Sequence, residues 1–361
     1  MFIILLIISL SVFCSIAAFN FYTAPELKTL IANTNEDKLV SVLVPARNEE
    51  MNIVSCINGI LSQSYKKIEI IIIDDCSTDN TYNIASSIKE NNLKVIKGEI
   101  LPEGWLGKNW ACHQLAQNAA GEYLLFVDAD VGIKKDSISS AIHELNRTNA
   151  ELISVFPTQL MKSFGEFIIV PLMNWLLLTF LPLKFVFTSS SNSFVAANGQ
   201  FMLWKRDTYF NLGGHQKVKD KVVEDMELAR LVKQNNFKVE TLLGGDLVFC
   251  RMYSSFKQAY NGFAKNFYAG FSINPIFFIL IIFFLFIVFI VPFIIITQSV
   301  IAIIPVLLVL AARFFVSLNS KQNWWINIIL HPLQMILMIW IGIVSLIKFK
   351  SNSLVWKERK I

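Results

Sequence analysis

Both ends of this 361-residue chain are too apolar to be ordinary soluble sequence. Met1 to Phe19 runs without a charged residue, and Pro275 to Thr297, Val300 to Leu318 and Ile326 to Ile347 are similarly apolar. A helix of roughly 20 such residues crosses a bilayer. Composition agrees, with 54% hydrophobic residues, only 16% charged and 30 Phe, a balance that points to membrane segments. Ser15 to Ala18 offers small residues for signal cleavage, but no basic region precedes the first stretch. An uncleaved N-terminal transmembrane anchor over residues 1–20 is therefore expected. The C-terminal membrane region, residues 275–347, carries Arg313 in one stretch and His331-Pro332 in another, so its number of crossings stays open. Three crossings from a cytosolic domain would leave the basic tail, residues 348–361, outside, against the positive-inside tendency. That tail (Lys348, Lys350, Lys357, Arg359, Lys360) is expected in the cytosol, where it suits an anionic lipid surface.

Between these ends the pattern changes to alternating strands and helices. After a polar linker at Asn33 to Lys38, Leu39 to Val44 reads as a strand stopped by Pro45. Ile53, Ile57, Ile60 and Leu61 have helical spacing, and Ile68 to Ile73 is a second strand. Ser77 or Thr78 is expected to cap the helix that follows, with a third strand at Leu93 to Ile96. Gly107-Lys108-Asn109 opens another helix, and Leu124 to Val127 is a fully apolar strand. This order predicts an α/β fold with a parallel sheet and functional groups at the strand carboxyl ends. No G-x-G-x-x-G follows a strand, which argues against a dinucleotide dehydrogenase. Phe164 to Phe187 is apolar but broken by Glu166, Pro171, Asn174, Pro182 and Lys184. A crossing there would separate Asp130 from Asp225, so the segment is expected to lie in the membrane interface.

Acids gather where the strands end. Asp74-Asp75 closes the second strand, and Asp128-Ala129-Asp130 closes the Leu124 strand. Paired carboxylates at a strand end need a compensating cation, and two hard oxygen ligands match Mg²⁺ or Mn²⁺ carrying a diphosphate. Lys108 lies between the two acidic sites, and Glu224-Asp225 opens a later helix over Val222 to Gln234.

The ordered set Val44-Pro-Ala-Arg-Asn-Glu49, Asp74-Asp-Cys-Ser-Thr-Asp79, Asp128-Ala-Asp130, Gly199-Gln-Phe201 and Glu224-Asp225 resembles the inverting family 2 glycosyltransferases of GT-A fold. The likeness covers residues 39–270. It implies a nucleotide-sugar-binding domain in which Pro45, Arg47 and Glu49 belong to the loop lining the nucleotide. Asp75 would accept a hydrogen bond from uracil, Lys108 would meet the base or diphosphate, and Asp128 would contact ribose or metal. Asp130 would bind Mg²⁺ or Mn²⁺ directly. Asp225, with Glu224 beside it, would be the general base, kept ionised by its helix start.

Gly104-Trp-Leu-Gly-Lys108, Leu212-Gly-Gly-His215, Arg251-Met-Tyr253 and Val355-Trp-Lys-Glu-Arg359 further resemble a group of membrane glycosyltransferases that includes enzymes of bacterial carotenoid synthesis. Glu358 departs from the glycine of that group's ending. Tyr260 to Asn266 stands where processive synthases carry Q-x-x-R-W, which favours single transfer over polymerisation. The implied partners are a UDP-sugar donor and a lipid acceptor in the membrane, such as a carotenoid carboxylic acid. The implied location is the cell membrane, with several crossings and the catalytic domain facing the cytoplasm.

Other readings weigh against this one. The acids at Asp74 to Asp79 also suit a helix-capping loop, Lys108 a solvated surface, and Glu224-Asp225 a favourable dipole interaction. His215 fits a substrate contact or a structural loop equally, while His113 and His143 read as helix-surface residues. Polyprenyl-phosphate or cell-surface polysaccharide transfer remains an alternative acceptor chemistry. A transporter would need ionisable residues along a path, and the tail's apolar stretches offer only Arg313 and His331. A nucleotide-sugar sensor would not need every acid retained. The sequence lacks the basic-aromatic pattern of a nucleic-acid binder. Its five Cys have neither zinc nor disulfide spacing.

Overall fold

The computed structural model describes residues 1–29, 38–271, 273–351, 355–356 and 359–360. The linker predicted at Asn33 to Lys38 falls outside them except for Lys38, as do Lys357 and Glu358 of the tail. The chain forms two compact units, one of Pro25–Thr158 with Val186–Arg251, the other of Met1–Ala24, Gln159–Phe185 and Met252–Ile361.

The first unit is built on strands β1 (Val40–Ala46), β2 (Ile68–Asp74), β3 (Leu93–Lys97), β4 (Tyr123–Val127), β5 (Val131–Ile133), β6 (Leu152–Phe156), β7 (Phe201–Lys205), β8 (Val239–Leu243) and β9 (Val248–Cys250). Seven of them make one sheet in the order β3-β2-β1-β4-β7-β6-β8. Strands β1 to β4 are mutually parallel, and β6 pairs parallel with β8. The parallel pairing expected of the alternating strands holds for β1 to β4, while β7 is antiparallel to both β4 and β6. After β6 the chain leaves for the other unit, and no crossover helix carries it back over the sheet. It re-enters from the carboxyl edge and must run the opposite way. That reversal sets the entry to β7 beside the exit of β4, with Val127 opposite Phe201 and the Asp128 N–H donating to the Gln200 carbonyl at 3.1 Å.

Pro45 does not stop β1, which runs to Ala46. Pairing with β4 ends at Leu43, so the missing proline N–H interrupts no ladder there. Every residue of β4 is buried, as a strand flanked on both sides requires. The helix Ile53–Leu61 covers the sheet with Ile53, Cys56, Ile57 and Ile60, one face at helical spacing. A short antiparallel pair of β5 and β9 sets Cys250 opposite Val131, the residue after Asp130.

The second unit contains four helices long and apolar enough to cross a membrane: Phe2–Thr23, Pro275–Ile295, Val300–Asn319 and Trp324–Lys350. Pro332 lies inside the last without ending it. The segment expected to rest on the membrane as a helix pair forms two short helices, Phe164–Ile169 and Pro171–Phe180, with Pro171 opening the second. Ser163 caps the first through its hydroxyl and Glu166. Asn20 ties the segment to the N-terminal helix, donating to the Leu178 and Leu181 carbonyls at 2.8 and 2.7 Å. Its Oδ1 accepts the Leu183 N–H at 2.8 Å.

Candidate active site

Asp74-Asp75 and Asp128-Ala129-Asp130 lie at the carboxyl ends of β2 and β4, with Glu49 in the loop after β1. Asp128 leaves β4 as its backbone N–H and carbonyl are engaged by Gln200 and Val131. Its carboxylate Oδ2 accepts from Lys108 Nζ at 2.9 Å, and the same ammonium lies 3.3 Å from Glu224 Oε1. The three residues come from β4, the helix Gly107–Asn118 and the helix Glu224–Gln234. Asp128 and Glu224 hold the Lys108 ammonium well above the usual lysine range against the opposing effect of burial. The surface-charge reading of Lys108 is therefore replaced by an ion-paired one.

Lys108 is aimed by its neighbour Asn109. The Asn109 amide, 1% exposed, donates to the carbonyls of Val218, Lys219 and Lys221 at 2.8, 3.2 and 3.0 Å. Those contacts tie the start of the Lys108 helix to the loop that leads into Glu224 and Asp225.

Asp225 is half-buried, and its two oxygens accept the Gly199 and Met226 N–H groups, each at 2.8 Å. Burial, with Glu224 alongside, pushes its carboxyl up to about 7, while Lys108 and the two N–H groups pull the other way. The helix start alone was expected to hold this acid in its ionised form, but desolvation outweighs it. Gly199 fits closely, since a Cβ on it would stand 3.1 Å from Lys108 Nζ and 3.2 Å from Glu224 Oε1.

Asp130 lies two residues past Asp128, and Gln200 Nε2 approaches its Oδ1 at 3.4 Å while contacting Cys250 Sγ at 3.1 Å. The Cys56 thiol under this site is raised by burial and then by Asp130, Glu49 and Asp128, so those three carboxylates share one neighbourhood. Cys112 is raised by burial, with Lys108 opposing and Asp128, Glu224 and Asp75 adding. The predicted residues Glu49, Asp75, Lys108, Asp128, Asp130 and Glu224 thus act on one connected field. Among the described residues no cluster of three or more His, Cys, Asp or Glu forms a ready-made metal cage. Asp128 and Asp130 offer hard carboxylate oxygens, the ligand type of a cation that completes its shell with phosphate oxygens.

The loop after β1 is tied to the loop after β2. Arg47, 7% exposed, donates through Nη1 to the Asp75 and Cys76 carbonyls at 2.6 and 2.8 Å. It shapes the Asp75 loop. Cys76 has φ 52°, the left-handed conformation that this clamp holds. Ser77 and Thr78 do not cap the next helix; Ser77 Oγ accepts from the Asn48 N–H, and the Thr78 N–H donates to Asn48 Oδ1. Asp79 takes the capping role, accepting the Thr81 N–H at 3.0 Å. The Glu49 N–H donates to Thr81 Oγ1 and its side chain accepts from Asn52 at 2.7 Å. Asp75 is 3% exposed, and its N–H reaches the Ala46 carbonyl at 2.8 Å, just past Pro45.

His215 is a core residue. It is 3% exposed, accepts or donates at Nδ1 with the Tyr209 hydroxyl at 2.8 Å, and packs on Phe126. Burial, then the Lys108 charge, lowers it to about 3, so it is neutral in use. His113 stacks on Trp110 and lies against Trp105. Sequence reasoning passed over Gln200 and Asn109 as site residues. Only the G-Q-F stretch hinted at the first, and nothing marked the second.

Residues 41–191 match the Glycosyl transferase family 2 profile. The chain is 28% identical to the 4,4'-diaponeurosporenoate glycosyltransferase of Staphylococcus aureus (strain N315) over 272 residues, 74% of this chain and 70% of that one. It is similar in fold to the mannosyltransferase PcManGT from Pyrobaculum calidifontis in complex with GDP-Man and Mn²⁺. That match has a TM-score of 0.57 and 14% identity, covering 96% of this chain and 98% of the other. The sheet is that of a GT-A fold.

Proposed function

Because the chain carries a glycosyl transferase family 2 domain, we propose that it moves a hexose, with glucose the first candidate, from a UDP-sugar to a lipid acceptor with inversion. The observation that carries the reading is Asp225. Its carboxylate is fixed by two backbone N–H groups, beside a lysine bridged to Asp128 and Glu224. The relative named for a carotenoid acid supports a lipid acid or lipid hydroxyl as the acceptor. The apolar helices support action at the cell membrane, and in this proposal the site faces the cytoplasm.

In this reading Asp75, at the end of β2, accepts from the uracil ring, and Arg47 holds its loop in position. Asp128 and Lys108 meet the ribose and diphosphate. Asp225 takes the proton of the acceptor hydroxyl or carboxyl as its oxygen attacks the anomeric carbon. The bond from that carbon to the diphosphate breaks, and UDP leaves with the electron pair. A general base works best when its pKa lies near the operating pH, which is where burial sets Asp225. Lys108, bridged to Asp128 and Glu224, faces the charge that develops on the leaving group. Asp130 and Asp128 would hold Mg²⁺ or Mn²⁺, as the Mn²⁺ of the mannosyltransferase complex supports for the donor oxygens. When bound, such an ion neutralises diphosphate charge.

The test is UDP release from UDP-glucose by the detergent-solubilised full chain, with and without Mn²⁺ and a carotenoid-acid acceptor. Acceptor-dependent release that disappears in Asp225→Asn and Asp130→Ala is the expected result. Release unaffected by Asp225→Asn overturns the base assignment, and release only from another nucleotide sugar changes the donor.

A further inference from the structure

The second unit buries a group of polar side chains for which the transfer reaction has no use. Arg313, His331 and Gln334 show no solvent exposure. The Arg313 guanidinium lies over the Trp175 ring at 4.8 Å, and its Nε reaches the Asn327 carbonyl at 3.5 Å. Its Nη1 and Nη2 have no hydrogen-bond partner. His331 packs edge-on to the same Trp175 ring at 5.2 Å and approaches the Phe289 backbone, while Trp175 Nε1 has no hydrogen-bond partner. Gln334 donates to the Phe167 carbonyl and to Asn327 Oδ1 at 2.8 and 3.1 Å.

Arginine keeps its charge at any relevant pH and offers a planar fork of donors. Inside an apolar bundle such a charge needs a counter-charge. Among the described residues none of the salt bridges includes Arg313. Glu166 is the sole acidic side chain in the described part of this unit, and it accepts from Ser163 Oγ and the Lys162 N–H. The unmatched atoms around Trp175 are mostly donors, the complement of an oxyanion.

The helices carrying Arg313 and His331 are among those apolar enough to cross a membrane, and they expose Leu307, Ile329, Leu333 and Ile336. An anion that reaches a site among such helices is one with an apolar tail. We propose that Arg313, assisted by His331, binds the phosphate or carboxylate headgroup of an acidic membrane lipid. Basic pockets between membrane helices recognise headgroups by this chemistry. The site stands on the second unit alone and does not depend on the transfer reaction.

The test is native mass spectrometry of the full chain in neutral detergent. It is titrated with phosphatidylglycerol against diacylglycerol, and with a long-chain polyene carboxylic acid against its methyl ester. Wild type should retain one or both acids at least about tenfold better than the uncharged partner, the size of one charge-assisted contact. Arg313→Gln should abolish the preference, and Arg313→Lys should keep part of it. A preference for the phosphate assigns the site to a phospholipid, and one for the carboxylate assigns it to a free lipid acid. Equal retention of acid and neutral lipid by wild type overturns the proposal, as does an unchanged preference in Arg313→Gln. If the glutamine variant does not fold, the acid-against-ester comparison in wild type and Arg313→Lys decides alone. UDP binding, measured in parallel, reports on the first unit separately.

Discussion

The Gly199 N–H donates to Asp225 Oδ2 at 2.8 Å, joining the entry of β7 to the start of the Glu224–Gln234 helix. The glycine has no side chain because Lys108 Nζ and Glu224 Oε1 already stand 3.1 and 3.2 Å from where a Cβ would be. Gly199→Ala should push the ammonium off its bridge while leaving the sheet intact. We expect kcat to fall by about tenfold or more through lost positioning, with Tm changed by only a few degrees. Steady-state kinetics beside a thermal melt checks this; an unchanged kcat would show that the bridge has slack.

Asp225 gives a pH signature. Its carboxyl is raised to about 7 by burial and Glu224, so the ionised base accumulates only as pH climbs. Then kcat/KM should rise with pH and level off above about 7. Asp225→Asn keeps the shape, removes the proton acceptor, and should lower kcat about 10²–10⁴-fold with the rising limb gone. Stability runs the other way. A folded carboxyl raised above its unfolded value binds its proton more tightly, so its contribution is full at acid pH and is lost as pH rises toward 7. The asparagine variant should lack that loss in pH-dependent melts.

Much of this was legible because it follows from period and charge. The apolar runs gave the long helices, and the fully apolar strand at Leu124 to Val127 lies in mid-sheet as expected. The acids at its end share a neighbourhood with Glu49, and with Lys108 and Asp75. What local pattern does not encode is direction and partner. Strand β7 carries no mark of being antiparallel, because side-chain alternation is the same either way. Arg47 reads as part of the loop lining the nucleotide, and nothing in the local sequence marks the two carbonyls of the Asp75 loop that accept from its Nη1. The ionisation of Asp225 was misjudged for the same reason. A helix start is local, whereas burial and the Lys108 bridge arise from segments about a hundred residues apart.

Asp130 is expected to act through a cation. Asp128 has one oxygen committed to Lys108, and Asp130, two positions on, is met at Oδ1 by Gln200 Nε2 at 3.4 Å. Asp130→Asn should weaken Mn²⁺-dependent UDP binding by at least about tenfold while leaving metal-free UDP binding nearly unchanged. Calorimetric titration with and without Mn²⁺ separates the two. Equal losses in both would mean that Asp130 contacts the nucleotide itself.

The last expectation concerns a carboxyl pair away from the site. Glu240 on β8 is 3% exposed, and burial together with Glu144 raises its carboxyl to about 7. Glu144 is held below its usual range, chiefly by Arg147, which reaches its Oε2 through Nε at 2.9 Å. The ionised member is therefore Glu144, and Glu240 keeps its proton. Because the folded value lies above the unfolded one, this contribution is complete below about pH 4.5 and declines as pH rises through about 7. Glu240→Gln preserves a neutral, hydrogen-bonding group of similar shape. It should be nearly neutral at about pH 5 and raise Tm by a few degrees at about pH 8. Melts of the full chain in detergent across that range test it. A variant less stable than wild type at the alkaline end would mean that the ionised Glu240 finds a partner worth more than the relief of charge.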